Sequence, residues 1–223
     1  AKNVNIFFFV LILLIMVVIA SLFIKYQVAS IYIIPFALIP IIINSFFDSR
    51  LAFVVHALIV TLIGFWAPNS FEFILLNIAA GVMVSLRLSN QFSRNRIFFT
   101  ALMVIMTYTV LFYSKYLIQE ADWRSIDLKY ISYFAVNGLL LLTSIPLIYF
   151  FERAFGFLSD TTLLEISDTN QPLLKKLAEA APGTFQHTLQ VVNLSEEAIR
   201  SIGGNALLVR AGAFYHDIGK LKN

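Results

Sequence analysis

Six apolar runs with almost no charge fill the first two thirds of the sequence: Ile6–Ile24, Val28–Phe47, Leu51–Ala67, Phe71–Leu86, Ile97–Ile118 and Tyr130–Phe151. A helix rises 1.5 Å per residue, so roughly 20 apolar residues cross about 30 Å of hydrocarbon. All six runs reach or approach that length. The third and fourth are the shortest and predict little tilt. The joints Lys25-Tyr26-Gln27, Asp48-Ser49-Arg50 and Pro68-Asn69-Ser70 are so short that consecutive helices must be antiparallel neighbours. The expected fold class is therefore all-α: a polytopic transmembrane helix bundle, followed by a smaller helical region.

Composition supports the same conclusion. Of 223 residues, 59% are hydrophobic and 13% charged, and 22 are Phe. Soluble domains carry about a quarter charged residues. Residues 1–151 hold 9 Lys+Arg against 5 Asp+Glu, and residues 152–223 hold 7 against 8. No basic patch suggests a nucleic-acid polymer as partner. The chain has no cysteine, which excludes disulfides and thiolate metal sites. The first apolar run resembles a signal peptide only superficially, because no cleavage site with a soluble mature domain follows it.

Positive charge sets the expected orientation. The loop from Arg87 to Arg96 holds three arginines and no acid, and is predicted cytoplasmic. The mixed loop from Gln119 to Lys129 then lies outside. Alternation puts the N-terminus, Asp48-Ser49-Arg50 and everything after Phe151 in the cytoplasm. Pro35, Pro40 and Pro146 fall within runs and are expected to bend them. Asn44, His56, Asn77, Ser85 and Asn137 are the polar residues within runs, and the asparagines and the histidine are expected to bond between helices. Glu72 is expected to be solvated at the interface.

The segment Glu152–Gln171 reads as a connector, with Phe155-Gly156-Phe157 as an elbow anchored at the headgroups. Ser159 to Thr162 offer caps for a short helix, and Pro172 suits the first turn of a helix over Leu173–Ala180. Beyond it, Thr184 is a plausible cap for a helix over Phe185–Ile202, with an apolar stripe from Thr188 to Ile202. Gly203-Gly204 stops that helix, Asn205 can cap the next over Ala206–Ile218, and Gly219 can end it. This places His187 in the first turn of one helix and His216-Asp217 in the last turn of its neighbour. In an antiparallel pair those ends meet. Two imidazoles and a carboxylate are ligands that borderline divalent metals take.

Several segments together resemble the bacterial seven-transmembrane HD family, whose members are cyclic di-AMP phosphodiesterases of the HD hydrolase superfamily. They are Glu152-Arg153-Ala154-Phe155-Gly156, Leu163-Leu164-Glu165-Ile166-Ser167-Asp168, Gln171-Pro172-Leu173-Leu174, Ala181-Pro182-Gly183-Thr184-Phe185-Gln186-His187-Thr188 and Tyr215-His216-Asp217-Ile218-Gly219-Lys220. The family often has His at Gln186, but the ligand carried over is the next residue, His187. The resemblance implies a transmembrane bundle over 1–151, a connector over 152–171 and the start of a cytoplasmic HD domain over 172–223. It implies His187, His216 and Asp217 as metal ligands, with Asp217 also catalytic as the bridge between two divalent ions, Fe or Mn. It implies Lys220 as a contact to substrate phosphate; a cation at a helix C-terminus is the alternative. The implied reaction opens cyclic di-AMP to pApA, with the bundle relaying an external signal to the site. A homodimer is left open. Glu196 and Glu197 are expected on a solvated face, and Phe214 and Tyr215 in the core.

The chain opens without Met and stops soon after the His-Asp pair, so both ends look cut. The resemblance implies a further span and an extracellular domain before residue 1, and more metal ligands after residue 223. With three ligands for a two-metal site, the chain by itself is expected to bind metal weakly and not to turn over. Two rival functions remain: a signalling receptor or scaffold with a degenerate HD domain, and a transporter. The first predicts failed ligands, and all three are intact. The second predicts paired acids or rows of polar residues lining a pore, and the runs offer neither.

Overall fold

The computed structural model describes residues 2–27, 29–88, 94–120 and 127–222. Among these there is no strand, and the chain divides into two compact units, 1–157 and 158–223. Residues 89–93 of the basic loop and 121–126 of the mixed loop, on which the predicted orientation depends, lie outside the described residues.

Among its described residues the first unit packs the helices α1 (Lys2–Tyr26), α2 (Leu38–Asn44), α3 (Ser49–Gly64), α4 (Ser70–Leu88), α5 (Arg94–Glu120), α6 (Lys129–Leu141) and α7 (Ser144–Phe155). Across two of the short joints α2–α3 and α3–α4 pack on one another as expected, while α1 packs on α3 and on the turn at Ile31–Ile33 rather than on α2; α4–α5 and α5–α6, joined by longer loops, also pack. Asp48 caps α3 by accepting from the Leu51 amide at 3.1 Å. Among the described residues four segments are long and apolar enough to cross a membrane: Asn3–Tyr26, Ser70–Leu88, Arg96–Ile118 and Lys129–Phe155. Ile31–Asn44 and Ser49–Gly64 are shorter apolar stretches.

The prolines break their helices rather than bend them. The second apolar run is a 3-10 turn at Ile31–Ile33, an extended Ile34 (φ −68°, ψ 122°) and then α2. The extended conformation is what Pro35 demands of its predecessor. Pro40 occupies the first turn of α2, where its missing N–H costs no hydrogen bond. Pro146 is likewise in the first turn of α7, and the preceding backbone tightens into i→i+3 bonds, Leu142 to Leu139 and Thr143 to Leu140, each 3.1 Å. Unwound backbone inside an apolar bundle needs partners, because water is not there to supply them. Asn137 supplies them: its Nδ2 donates to the carbonyls of Tyr32 and Ile34, both at 2.8 Å.

The other buried polar groups act similarly. Asn44 Nδ2 donates to Leu88 O at 3.0 Å, His56 Nε2 to Asn77 O at 2.8 Å, and Tyr108 OH to Asn77 Oδ1 at 2.8 Å. Ser85 Oγ makes no such bond, and His56 Nδ1 and Asn137 Oδ1 are likewise buried without a hydrogen-bond partner. Glu72 corrects the sequence-based expectation. It is buried, with one carboxylate oxygen accepting from the Tyr32 hydroxyl and the other from the Lys115 ammonium. A buried carboxylate is tolerable only when paired and hydrogen-bonded.

Gly156, at φ 69°, closes α7 in the left-handed conformation, with its amide 2.9 Å from Glu152 O. Phe157 then folds back over Phe155, ring centroids 5.5 Å apart. The elbow is present, but its rings turn inward. Phe157 lies 5.2 Å from Phe8, 5.3 Å from Phe46 and 5.6 Å from Phe47. Aromatic pairs of this kind contribute about 0.5–1.5 kcal/mol beyond buried area.

The second unit holds α8 (Asp160–Ile166), α9 (Pro172–Ala180), α10 (Pro182–Ser201), α11 (Ala206–Tyr215) and a 3-10 turn at Ile218–Lys222. Its buried core is Leu174, Val192, Ala213 and Phe214, with Phe185, Leu189, Val191, Tyr215 and Ile218 packed around it. Ser159 caps α8 through the Thr162 amide at 3.2 Å, and Asn205 caps α11 through the Leu208 amide at 2.9 Å. Ile202, placed on the apolar stripe by its spacing, is instead 79% exposed.

Candidate metal centre

Two helix boundaries differ from the sequence reading, and both concern the site. Helix α10 begins at Pro182 rather than Phe185, because proline is pre-set for the first helical position. Thr184 is therefore inside the helix, and His187 stands in its second turn. Helix α11 ends at Tyr215, so His216 and Asp217 form the turn beyond it and Gly219 lies within the following 3-10 turn.

The convergence survives these shifts. Helices α10 and α11 pack together, and one ligand atom from each of His187, His216 and Asp217 lies within 4.8 Å of the others. The two imidazole centroids are 5.9 Å apart, inclined at 61°. Both histidines are exposed and Asp217 is half-buried, so an ion has access. His216 Nδ1 lies 2.7 Å from Ala213 O. A carbonyl accepts only, so this nitrogen carries the proton and Nε2 keeps its lone pair free. Metal-binding histidines are commonly oriented in this way by a bond at the other nitrogen. Metal–ligand bonds of about 2.0–2.2 Å bring donors to roughly 3–4 Å from each other, within small side-chain adjustments of the observed grouping. The donor set fits a divalent ion.

Lys220 joins the group through Asp217: its ammonium donates to Oδ2 at 2.6 Å. That hydrogen bond is the main cause holding the Asp217 carboxyl below the usual carboxylate range, with added pull from the Lys220 charge. His216 Nε2 is 3.5 Å from the same oxygen. Asp217 is thus an ionised acceptor at neutral pH, which is the form a metal requires.

Two roles nearby were not legible from residue type. The carboxylate of Glu196 is largely covered, accepting from Arg200 at 2.5 Å and from Arg210 of the neighbouring helix at 3.0 Å. Glu197 remains exposed as expected. Phe214 is core, but Tyr215 is half-buried with its hydroxyl donating to Ile166 O at 2.9 Å. Only its position, next to the His-Asp pair, hinted at more than packing.

Comparison with known proteins matches residues 1–159 to the family described as "7TM receptor with intracellular HD hydrolase" and residues 184–223 to the HD domain. Cyclic-di-AMP phosphodiesterase PgpH of Bacillus subtilis (strain 168) is 34% identical over 237 aligned residues, covering 99% of this chain and 33% of that protein. The protein of the same name from Listeria monocytogenes serotype 1/2a (strain 10403S) is 30% identical over 193 residues, 85% of this chain and 27% of that protein. The chain thus spans about a third or less of the length of these relatives. No solved structure matches it.

Proposed function

Because this chain belongs to the family of 7TM receptors with an intracellular HD hydrolase, we propose that it is the membrane-embedded and ligand-bearing part of a metal-dependent phosphodiesterase opening cyclic di-AMP to pApA. The observation that carries this reading is the convergence of His187, His216 and Asp217, with the His216 tautomer fixed by Ala213. The substrate comes from the two relatives named for it.

A phosphodiester resists hydrolysis because its negative charge repels nucleophiles and its alkoxide is a poor leaving group. Divalent ions, when bound, supply a nucleophile at neutral pH and offset the charge that develops during in-line displacement. His216 Nε2 and a ring nitrogen of His187 would hold a divalent ion. Asp217 would supply its carboxylate to the same site, where it would serve as the ligand shared by two ions. Imidazole ligands favour Fe or Mn over Mg. Lys220, which donates to Asp217 Oδ2, would be placed to contact a phosphate oxygen of the substrate. The apolar helices anchor the catalytic unit in the bacterial plasma membrane, with the HD part in the cytoplasm. The connector gives the bundle a covalent route along which an external signal reaches the site.

The test is the purified full-length protein, assayed with Mn²⁺ against cyclic di-AMP, cyclic di-GMP and a mixed cyclic dinucleotide. Expected is Mn²⁺-dependent release of pApA that a chelator abolishes. Failure to hydrolyse any of the three overturns the assignment.

A further inference from the structure

Tyr215 immediately precedes two of the three candidate ligands, and its hydroxyl spans 49 residues of sequence to reach Ile166 O. Ile166 is the last residue of α8. Terminal carbonyls of a helix have no amide partner within it, and here a side chain from α11 takes that place. Gln171 Nε2 adds a side-chain donor at 2.8 Å to Glu165 O, which also accepts from the Asp168 amide at 3.3 Å. Helix α8 is fixed at its other end by the Ser159 cap and seated by the buried Leu163. It is also the first helix after Phe157, the residue that ends the bundle unit. A short, capped helix that follows the bundle unit in sequence thus ends at a hydroxyl one residue from His216.

The last turn of α11 continues the linkage. Ala213 O orients His216, and Tyr215 and Phe214 seat the same turn on the core. A shift of the Ile166 carbonyl pulls on Tyr215, and the adjoining His216-Asp217 backbone has to follow. We propose that the Tyr215 hydroxyl is a positioning contact through which connector helix α8 sets the geometry of the His216-Asp217 pair and so its hold on metal. This rests on reading those residues as metal ligands. It adds the element that would make their affinity adjustable from the bundle.

The experiment measures Mn²⁺ binding to the full-length protein by the electron paramagnetic resonance signal of free Mn²⁺, which needs no turnover. Measurements are made at a temperature where every variant is fully folded by its melting curve. Tyr215→Phe is expected to weaken binding about tenfold, the scale of loss when an outer-shell partner is removed. Ser159→Ala, which loosens α8 without touching the site, should weaken it less. The double variant should be no weaker than Tyr215→Phe alone, since both changes act through one contact. Wild-type affinity in Tyr215→Phe overturns the proposal, as does strict additivity in the double variant. Wild-type protein that binds no Mn²⁺ sinks it together with the ligand assignment. Wild-type protein that binds Mn²⁺ without hydrolysing a cyclic dinucleotide, while Tyr215→Phe binds it more weakly, sinks the phosphodiesterase reading alone and supports this one.

Discussion

His56 in the bundle and His216 in the second unit each give one ring nitrogen to a backbone carbonyl, at 2.8 and 2.7 Å. The consequences differ. The His56 ring is fully buried and fills the space beside Gly81, where a Cβ would lie 2.3 Å from its Cδ2. His216 is exposed, and its second nitrogen faces another imidazole and a carboxylate. The first histidine bonds one helix to another, and the second leaves Nε2 beside other potential ligand atoms. What separates the two roles is the surroundings: whether the remaining polar atoms meet packed hydrocarbon or each other.

The largest effect that would sharpen this contrast is at the open site. Asp217→Asn in the full-length protein should lower Mn²⁺-dependent hydrolysis by more than about 100-fold, since ligand loss exceeds the loss from an outer-shell partner. Thermal unfolding of the bundle in detergent should be unchanged. Next comes the buried network. Asn137→Leu strands the Tyr32 and Ile34 carbonyls, and at about 1–3 kcal/mol for each unsatisfied group it should lower bundle stability by about 2–4 kcal/mol, read from thermal unfolding in detergent. A smaller loss, about 1–3 kcal/mol, is expected for Gly81→Ala, because the added methyl overlaps the His56 ring. His56→Ala should recover part of that loss, and simple additivity would show that the contact does not matter.

The smallest effect is electrostatic. Hydrogen bonding to Arg200, then the Arg210 and Arg200 charges, lower the Glu196 carboxyl against the opposing effect of burial. A depressed carboxyl contributes stability above the ordinary carboxylate range and loses it as pH falls toward the depressed value. The expected contribution is below about 1 kcal/mol, as for exposed ion pairs. Acid titration of the melting temperature should show it, and Glu196→Gln should flatten that part of the curve.

The sequence was most informative where chemistry is local. Apolar runs predicted the long helices, Ser159 to Thr162, Pro172 and Asn205 marked the starts of the short helices α8, α9 and α11, and helix punctuation around His187 and His216-Asp217 predicted their convergence. It was least informative where a partner is distant. Glu72 looks like an interfacial acid until Lys115, 43 residues away, packs beside it. Tyr215 looks like core until Ile166 O is in reach. The prolines signalled disruption, but whether a helix bends or splits depends on what can accept the freed backbone, and that is settled by Asn137 on another helix.

That amide has a consequence for which sequences the bundle tolerates. One nitrogen with two hydrogens serves two oxygens, so the requirement at position 137 is for paired donors at a particular reach. Aspartate matches the shape and offers none. Serine has one hydrogen to give and glutamine sets its pair a methylene too far. Drift at this site is therefore narrower than its surroundings of interchangeable Leu, Ile and Phe suggest, and an exchange there should survive only when the Ile31–Pro35 stretch changes with it.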